Sequence, residues 1–334
     1  MKKSIHVVLW TAILFLLGIL PQLIGIVLTN IVVQFAINAT FAISLNLLLG
    51  YTGLLSFGHA MFFGVGAYTT ALALTYISGM PLLGAILIGG LTAGLFAVVV
   101  SPLLARVSGT AFAMLTLAFG QLLYVLCLKF REVTGGEDGI SGYPIPPFVI
   151  PGVGSIDMTV PQNFYYFAMI LLGLCILAMW FVVKTPFGSI VMSVRDNARR
   201  VDYLGFRVQH TKAVMVIISG LFAGIAGSVF ALLQKVVSTD SAVSASVSFA
   251  PLMMAYVGGI GNFFGPILGS AILHLLDEFT SRYIPRVDLV NGIVFIVIVL
   301  YAPYGFMGLI QKVRERWPRK QAFSAVVQPK EEVT

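Results

Sequence analysis

The sequence predicts an all-α polytopic membrane protein of about ten helical segments, one broken or re-entrant and two forming a short-helix hairpin. Three observations carry this. Of 334 residues, 58% are hydrophobic and only 10% charged, the balance of a lipid-embedded chain rather than a soluble domain. No Lys, Arg, Asp or Glu falls between Lys3 and Arg106, and 107–128, 163–183, 213–234, 241–276 and 289–311 are equally free of them. Glycine-rich stretches interrupt two of the apolar runs, at 50–59 and at 258–266.

A membrane-crossing helix needs about 20 apolar residues. Residues 7–29 supply the first, with Pro21 kinking it or closing it early. This run is too long for a signal peptide and lacks a small-residue cleavage site, so it is expected to remain as a span. Residues 31–49 supply the second. The next stretch, 50–59, reads GYTGLLSFGH, with three glycines. Irregular backbone at membrane depth is tolerated only under cover of protein or beside a water-filled cavity. We therefore expect a broken or re-entrant segment beside a pathway. Spans at 60–78, 82–105 and 109–128 follow.

Residues 129–160 are rich in Gly and Pro and carry Glu132, Glu137, Asp138 and Asp157, which predicts an ordered, irregular loop. The sixth span is 163–183. It leads into 184–212, KTPFGSIVMSVRDNARRVDYLGFRVQHTK, where Lys184, Arg195, Arg199, Arg200, Arg207 and Lys212 face only Asp196 and Asp202. Basic loops stay on the cytoplasmic side. Parity agrees: Lys2 and Lys3 inside, Arg106 inside, the 129–160 loop outside and 184–212 inside. Within the loop no Gly or Pro falls between Ile190 and Leu204, so a helix is expected there. Ile190, Val191, Val194, Val201 and Leu204 would share part of one face, and Gly205 would stop it.

Residues 213–233 cross again. The run 249–276 is too long for one helix and is interrupted by GGIGNFFGP at 258–266, which predicts a hairpin of two short helices. That hairpin returns Asp277, Glu278, Arg282, Arg286 and Asp288 to the outer side. Residues 289–310 then cross inward to a basic tail. The expected organisation is a transmembrane body at 1–311, with the 184–212 loop inside it, and a cytoplasmic tail at 312–334. Gly90 and Gly94, Gly220 and Gly224, and Gly261, Gly265 and Gly269 recur at four-residue spacing, as close helix packing requires. Cys127 and Cys175 lie inside apolar runs and read as small apolar filler.

The net charge of +7 sits in loops and the tail, so it reports orientation and gives no support for nucleic-acid binding. We find no GxxxxGK[ST] phosphate loop, no HExxH and no paired-Cys metal site, so no cofactor or metal is expected, and no Ser, His and acid grouping marks an enzyme. Ion-coupled pumps place Asp or Glu inside the membrane; here every carboxylate lies in a loop or tail. His59 and His274 are the only titratable candidates near membrane depth, either as structural histidines at helix ends or as functional groups. Such a transporter runs downhill or takes energy from another polypeptide. In the second case the 184–212 helix would transmit the closing of an attached ATPase to the spans.

The run 45–68, LNLLLGYTGLLSFGHAMFFGVGAY, resembles the signature of the LivM-type permeases of branched-chain amino-acid ABC importers. AMLTLAF at 113–119, VTGGEDG at 133–139, TPFG at 185–188, Arg195-Asp196-Asn197 and the 258–266 glycine motif are similar to further family motifs, in order, over about 38–308. The resemblance implies a subunit of a bacterial inner-membrane importer with cytoplasmic termini. Its implied partners are a homologous second permease subunit, two ATP-binding subunits and a periplasmic substrate-binding protein, within membrane lipid.

It also implies that the loop ending at Gly205 docks on the ATPase through a degenerate Glu-Ala-Ala-x-x-x-Gly element. Arg199-Arg200-Val201 replaces the first three of those residues, and Ala302-Pro303-Tyr304-Gly305 loses the Arg of a late Arg-Pro-x-Gly. Arg195, Asp196, Asn197, Arg199, Arg200 and Gly205 are thus the expected coupling residues, and Asn46, Thr52, Gly53, Ser56 and His59 the candidate translocation path. Neutral polar groups such as Asn38, Asn46, Thr52, Ser56, Tyr68 and Thr69 suit a solute with no net charge, or else serve as interhelical hydrogen bonds. Leucine, isoleucine or valine is the expected solute. Urea or short amides, which similar permeases carry, and a self-sufficient facilitator are the alternatives.

Overall fold

The computed structural model describes residues 21–22, 25–150, 154–281, 287–301 and 305–308. The expected first span at 7–29 and the 312–334 tail therefore lie largely outside the described residues, as do Arg282 and Arg286. The described chain is helical: α1 (Ile26–Asn46), a π-helix (Leu47–Thr52), α2 (Ala60–Tyr76), α3 (Leu82–Leu104), α4 (Thr110–Lys129) and a single turn, α5 (Arg131–Thr134). Short strands β1 (Ile140–Ser141), β2 (Phe148–Ile150) and β3 (Gly154–Ile156) precede α6 (Pro161–Lys184), α7 (Pro186–Tyr203) and α8 (Val208–Gln234). Then come β4 (Val236–Val237), α9 (Thr239–Ala242), α10 (Ala245–Gly258), α11 (Gly265–Ser281) and α12 (Val287–Tyr301).

Six stretches among the described residues are long and apolar enough to cross a membrane, and α2 is a shorter apolar helix. The chain is an all-α polytopic membrane protein. Its outer surface fits that reading. On α3, Leu87, Leu91, Leu95 and Val99 are between 58% and 71% exposed, one residue per turn. On α6, Ile170, Leu174, Leu177 and Phe181 repeat the pattern. Such stripes are a liability in water and the natural surface in hydrocarbon.

The opposite face of α3 is small. Gly94 lies against Leu221 and Gly220 against Ala97, where an added methyl would come within 3.5 Å and 2.8 Å respectively. The two helices run antiparallel along this seam, and α2 packs on the same face through Gly66 against the backbone of Gly224. Thr69 Oγ1 and Thr92 Oγ1 join α2 to α3 at 2.9 Å. The expected glycine spacing is thus a three-helix contact. The second arm of the late motif is equally tight: Gly269 sits against the Met254 carbonyl and Gly258 against that of Gly265, closing α10 and α11 into the expected hairpin.

Several boundaries differ from expectation. The turn before the second span falls at Gly25, not beyond Thr29, because Thr29 N–H and Oγ1 both donate to the Gly25 carbonyl and keep Thr29 inside α1. The second span does not stop at Leu49. Thr52 Oγ1 donates to the Leu47 carbonyl at 2.9 Å, which carries the helix on as a π-turn to Gly53, in the left-handed region at φ +74. The first hairpin arm begins at Ala245 rather than Phe249, with Pro251 inside it. Helix α8 begins at Val208, so His210 and Lys212 are helical. Its 27 residues rise about 40 Å, more than the ~30 Å hydrocarbon core, so its first turns extend past the lipid.

The two ends of the bundle differ. At one lie the C-terminus of α3, all of α7, the π-helix end and the 259–264 turn. At the other, β1 pairs with β4 and β2 with β3. The described residues of the 129–160 loop are held there by hydrogen bonds. Thr239 Oγ1 donates to the Gly136 carbonyl at 2.8 Å, and Tyr143 OH to that of Ala231 at 2.5 Å. Cys127 and Cys175 are buried and unpaired.

Candidate functional site: the bent α7 helix and the two chain breaks

Helix α6 ends where Thr185 Oγ1 donates to the Val182 carbonyl at 2.6 Å, and Pro186 opens α7 at a position that needs no N–H donor. Gly188 rests on the Val183 backbone, where a side chain would collide, so the Thr-Pro-Phe-Gly run forms this corner. Val191, Val194 and Val201 are buried at 0%, 3% and 4% exposure and seat α7 on the bundle, as the periodicity predicted. Leu204 does not join them: it is 70% exposed, beside Tyr203 at 87% and Phe206 at 45%. The helix ends at Tyr203 and Leu204 is its C-cap, at φ −79 and ψ 1, so Leu204 leaves the face that Val201 still keeps; Asn197, at φ −158 and ψ 91, breaks helical geometry inside α7.

Asn197 Oδ1 accepts from Arg200 N–H at 3.0 Å and so caps the second half. Gly205, at φ +87, ends it. Gly205 N–H reaches the Asp202 carbonyl and Phe206 N–H that of Val201, the paired bonds of a Schellman stop. Arg199 and Arg200 are exposed on this outer half.

Arg195, just before the kink, turns inward. Its Nη1 donates to the Gly50 carbonyl at 2.6 Å, and its Nε and Nη2 donate to Asp196 Oδ1 at 3.1 and 3.0 Å. A methyl on Gly53 would stand 2.9 Å from Arg195 Cγ. One turn earlier, Asn46 is fully buried and uses both ends of its amide on the second break. Its Nδ2 donates to the Asn262 carbonyl at 2.9 Å, and its Oδ1 accepts from Gly261 N–H at 3.3 Å. The structure therefore joins Arg195, Asp196, Gly53 and Asn46 around Gly50, together with a turn more than 200 residues away in sequence.

The backbone of the first break is covered by protein. Phe57 N–H donates to Thr116 Oγ1 at 3.2 Å and Ala60 N–H to Ser248 Oγ at 2.9 Å. His59 stands at the start of α2, fully buried, stacked on Phe41 with ring centroids 5.5 Å apart. Its Nε2 lies 3.0 Å from Ser44 Oγ and 3.4 Å from Ser219 Oγ. Each serine has one proton: Ser44 gives it to the Phe41 carbonyl and Ser219 to the Ser44 carbonyl. Nε2 must then carry the ring proton, and Nδ1 keeps a lone pair that no described group meets. Ser56 Oγ is likewise buried without a partner. Thr52 is occupied within its own helix. Thr116 lay inside the visible 113–119 motif, whereas nothing in the sequence singled out Ser219 or Ser248. Gly261 and Asn262 lay inside a motif that was visible. Among the described residues no three His, Cys, Asp or Glu side chains gather as a metal site would require.

A family model described as branched-chain amino acid transport system / permease component matches residues 27–302. The chain is 28% identical to the high-affinity branched-chain amino acid transport system permease protein LivM of Escherichia coli K12, over 79% of this chain and 66% of that protein. It is 23% identical to the probable LivM of Methanocaldococcus jannaschii, over 85% and 90% of the two chains. It is also 30% identical to the guanosine ABC transporter permease protein NupQ of Bacillus subtilis, over 53% and 58%. The chain spans just under two thirds of the length of the enterobacterial LivM relatives, at 66%. No solved structure matches.

Proposed function

The chain belongs to the family of branched-chain amino acid transport permease components, and from that premise we propose that it is the membrane-spanning permease subunit of an ATP-driven importer of leucine, isoleucine and valine. Energy enters from separate ATP-binding subunits that dock on the outer half of α7. A homologous second permease chain completes the path, and a substrate-binding protein delivers the solute on the opposite face. The α7 face is cytoplasmic and the membrane is the bacterial inner membrane.

One observation carries this reading. The outer half of α7 presents Arg199, Arg200, Tyr203, Leu204 and Phe206 to the outside, an exposed apolar patch among cations, while its inner half is seated on the bundle. A solvated basic loop has no use for three exposed large apolar side chains in four residues; a docking surface does. No carboxylate occurs in α1, α2, α3, α4, α6, α8 or α10, and Asp277 and Glu278 lie near the C-terminal end of α11, so these seven helices carry no acid of the kind an ion-coupled pump uses. The break at 53–59 borders the path, its Ser56 Oγ and His59 Nδ1 buried without a partner, and Asn46 and Thr52 hold the break in shape.

The test is reconstitution in liposomes with the three kinds of partner. Leucine-stimulated ATP hydrolysis is expected, and Arg199→Glu with Arg200→Glu should lower it about tenfold, within the range of ordinary coupling energies, while the two permease chains still assemble. Leucine flux through this chain alone would mean a facilitator instead. Guanosine accumulation in place of leucine would move the substrate toward that of the NupQ relative.

A further inference from the structure

We infer that Arg195 is the positioning residue that ties the coupling helix to both chain breaks, so that movement of α7 enters the bundle through one guanidinium. This rests on the reading of α7 as the contact for an ATP-binding partner. The sequence grouped Arg195 with Arg199 and Arg200 as cations for that partner, and the structure separates them. Arg199 and Arg200 lie past the Asn197 kink on the outer half, whereas Arg195, its side chain 38% exposed, reaches the bundle at the Gly50 carbonyl.

What it meets is a helix end. Gly50 lies in the last turn of the π-helix, where carbonyl groups run out of helical donors and carry partial negative charge. A guanidinium donating there at 2.6 Å forms a short, charge-assisted bond. Asp196 takes the other edge of the same fork through Nε and Nη2, which fixes the plane of the group. A lysine, with a single ammonium head, cannot occupy both edges.

The slot is shaped for this side chain. Gly53 at φ +74 lies against Arg195 Cγ, and Gly261 at φ +80 would bring a methyl to 3.5 Å from Nη1. Gly261 and Asn262 are in turn held to α1 by Asn46. The inner half of α7, the first break and the second break therefore meet at one point. Two residues further on, the kink at Asn197 separates this anchored half from the exposed half. Within Arg195-Asp196-Asn197, the first residue grips the bundle, the second orients the grip and the third supplies the hinge.

The experiment uses the full reconstituted complex, with spin labels at Asp202→Cys on the outer half and Phe264→Cys at the second break, each paired with a label on the fixed seam of α3. In the wild-type background both distances should change when ATP is trapped. With Arg195→Met, the ATP-binding subunit should still co-purify and the label at 202 still respond. The label at 264 should fall silent, and leucine transported per ATP should drop about tenfold. Arg195→Lys should restore part of that loss. If Arg195→Met leaves the 264 response intact, the inference is wrong; if it abolishes co-purification, Arg195 is a docking residue and the inference is equally wrong. Should Arg195→Met fail to insert, Asp196→Ala keeps the Gly50 bond but frees the guanidinium plane, and an unchanged 264 response there overturns the idea. A wild-type chain that binds no ATP-binding subunit removes the function reading itself, a different result from a wild-type complex that couples and an Arg195 variant that couples equally well.

Discussion

Two buried polar side chains, Asn46 and His59, look alike in the sequence and differ in what their loss would do. Among the described residues Asn46 is the side-chain link by which the 259–262 turn reaches α1, giving one bond and receiving one. Asn46→Leu leaves Gly261 N–H without its acceptor, while the Asn262 carbonyl keeps a bond from Gly265 N–H at 3.3 Å, so a loss of about 1–3 kcal/mol is the scale to expect. His59→Phe leaves both serine protons on their backbone carbonyls and keeps a ring to stack on Phe41. It should cost only ~1 kcal/mol, the net value of an ordinary hydrogen bond. Thermal unfolding of the purified chain in detergent checks the order: Asn46→Leu should melt well below His59→Phe. The sequence offered Asn46 and His59 together as path candidates, with an interhelical hydrogen bond and a structural histidine at a helix end as the other readings, and named no partner for either. A polar residue in an apolar run announces that it needs a partner, but not which one.

At the scale of the element, α7 is two helices sharing one seat. The cap at Asn197 and the stop at Gly205 are both local devices, and both sit at residues the sequence singled out. Asn197→Ala removes the side-chain cap at a cost of about 1 kcal/mol and should let α7 straighten. That would carry Tyr203 and Leu204 back toward the face of Val191 and Val194. A spin-label pair at Ser189→Cys and Tyr203→Cys should lengthen and narrow its distance distribution. Gly205→Val forces a β-branched side chain to φ +87, a penalty of roughly 1–2 kcal/mol or more. It should weaken partner binding, with Gly205→Asn milder because Asn tolerates that region. The helix and its stop were visible from spacing; the break at Asn197 was not. A helical wheel assumes one continuous axis, and Leu204 lies beyond the point where that axis ends.

Across the whole molecule the decisive asymmetry is between the lipid-facing stripe and the glycine seam of the same helix. Leu95 and Gly94 are neighbours on α3, one 65% exposed and the other packed on Leu221. Leu95→Arg places a charge against hydrocarbon near the helix centre, a cost of about 2.5–3.5 kcal/mol on insertion scales. Leu95→Phe should be silent. Gly94→Phe should instead insert normally and fail to pack. Separating membrane-fraction yield from detergent melting distinguishes the two failures. Labelling in intact cells tests the orientation: a cysteine at Arg199 should react only after permeabilisation, and one at Ser141 before it.

Composition and the uncharged runs settled the membrane class, most of the spans and the two breaks. In hydrocarbon every backbone group must find its partner within its own segment, so local sequence alone is enough to reveal a helix and its interruptions. The meeting of those interruptions was decided only by tertiary structure. Gly50 and Gly261 lie more than 200 residues apart, and their approach depends on side chains absent from both glycines and on one arginine that could equally have pointed outward. Bringing them together takes the packed bundle as a whole, since α1, α7 and the α10–α11 hairpin must all be in place before Arg195 and Asn46 have anything to hold.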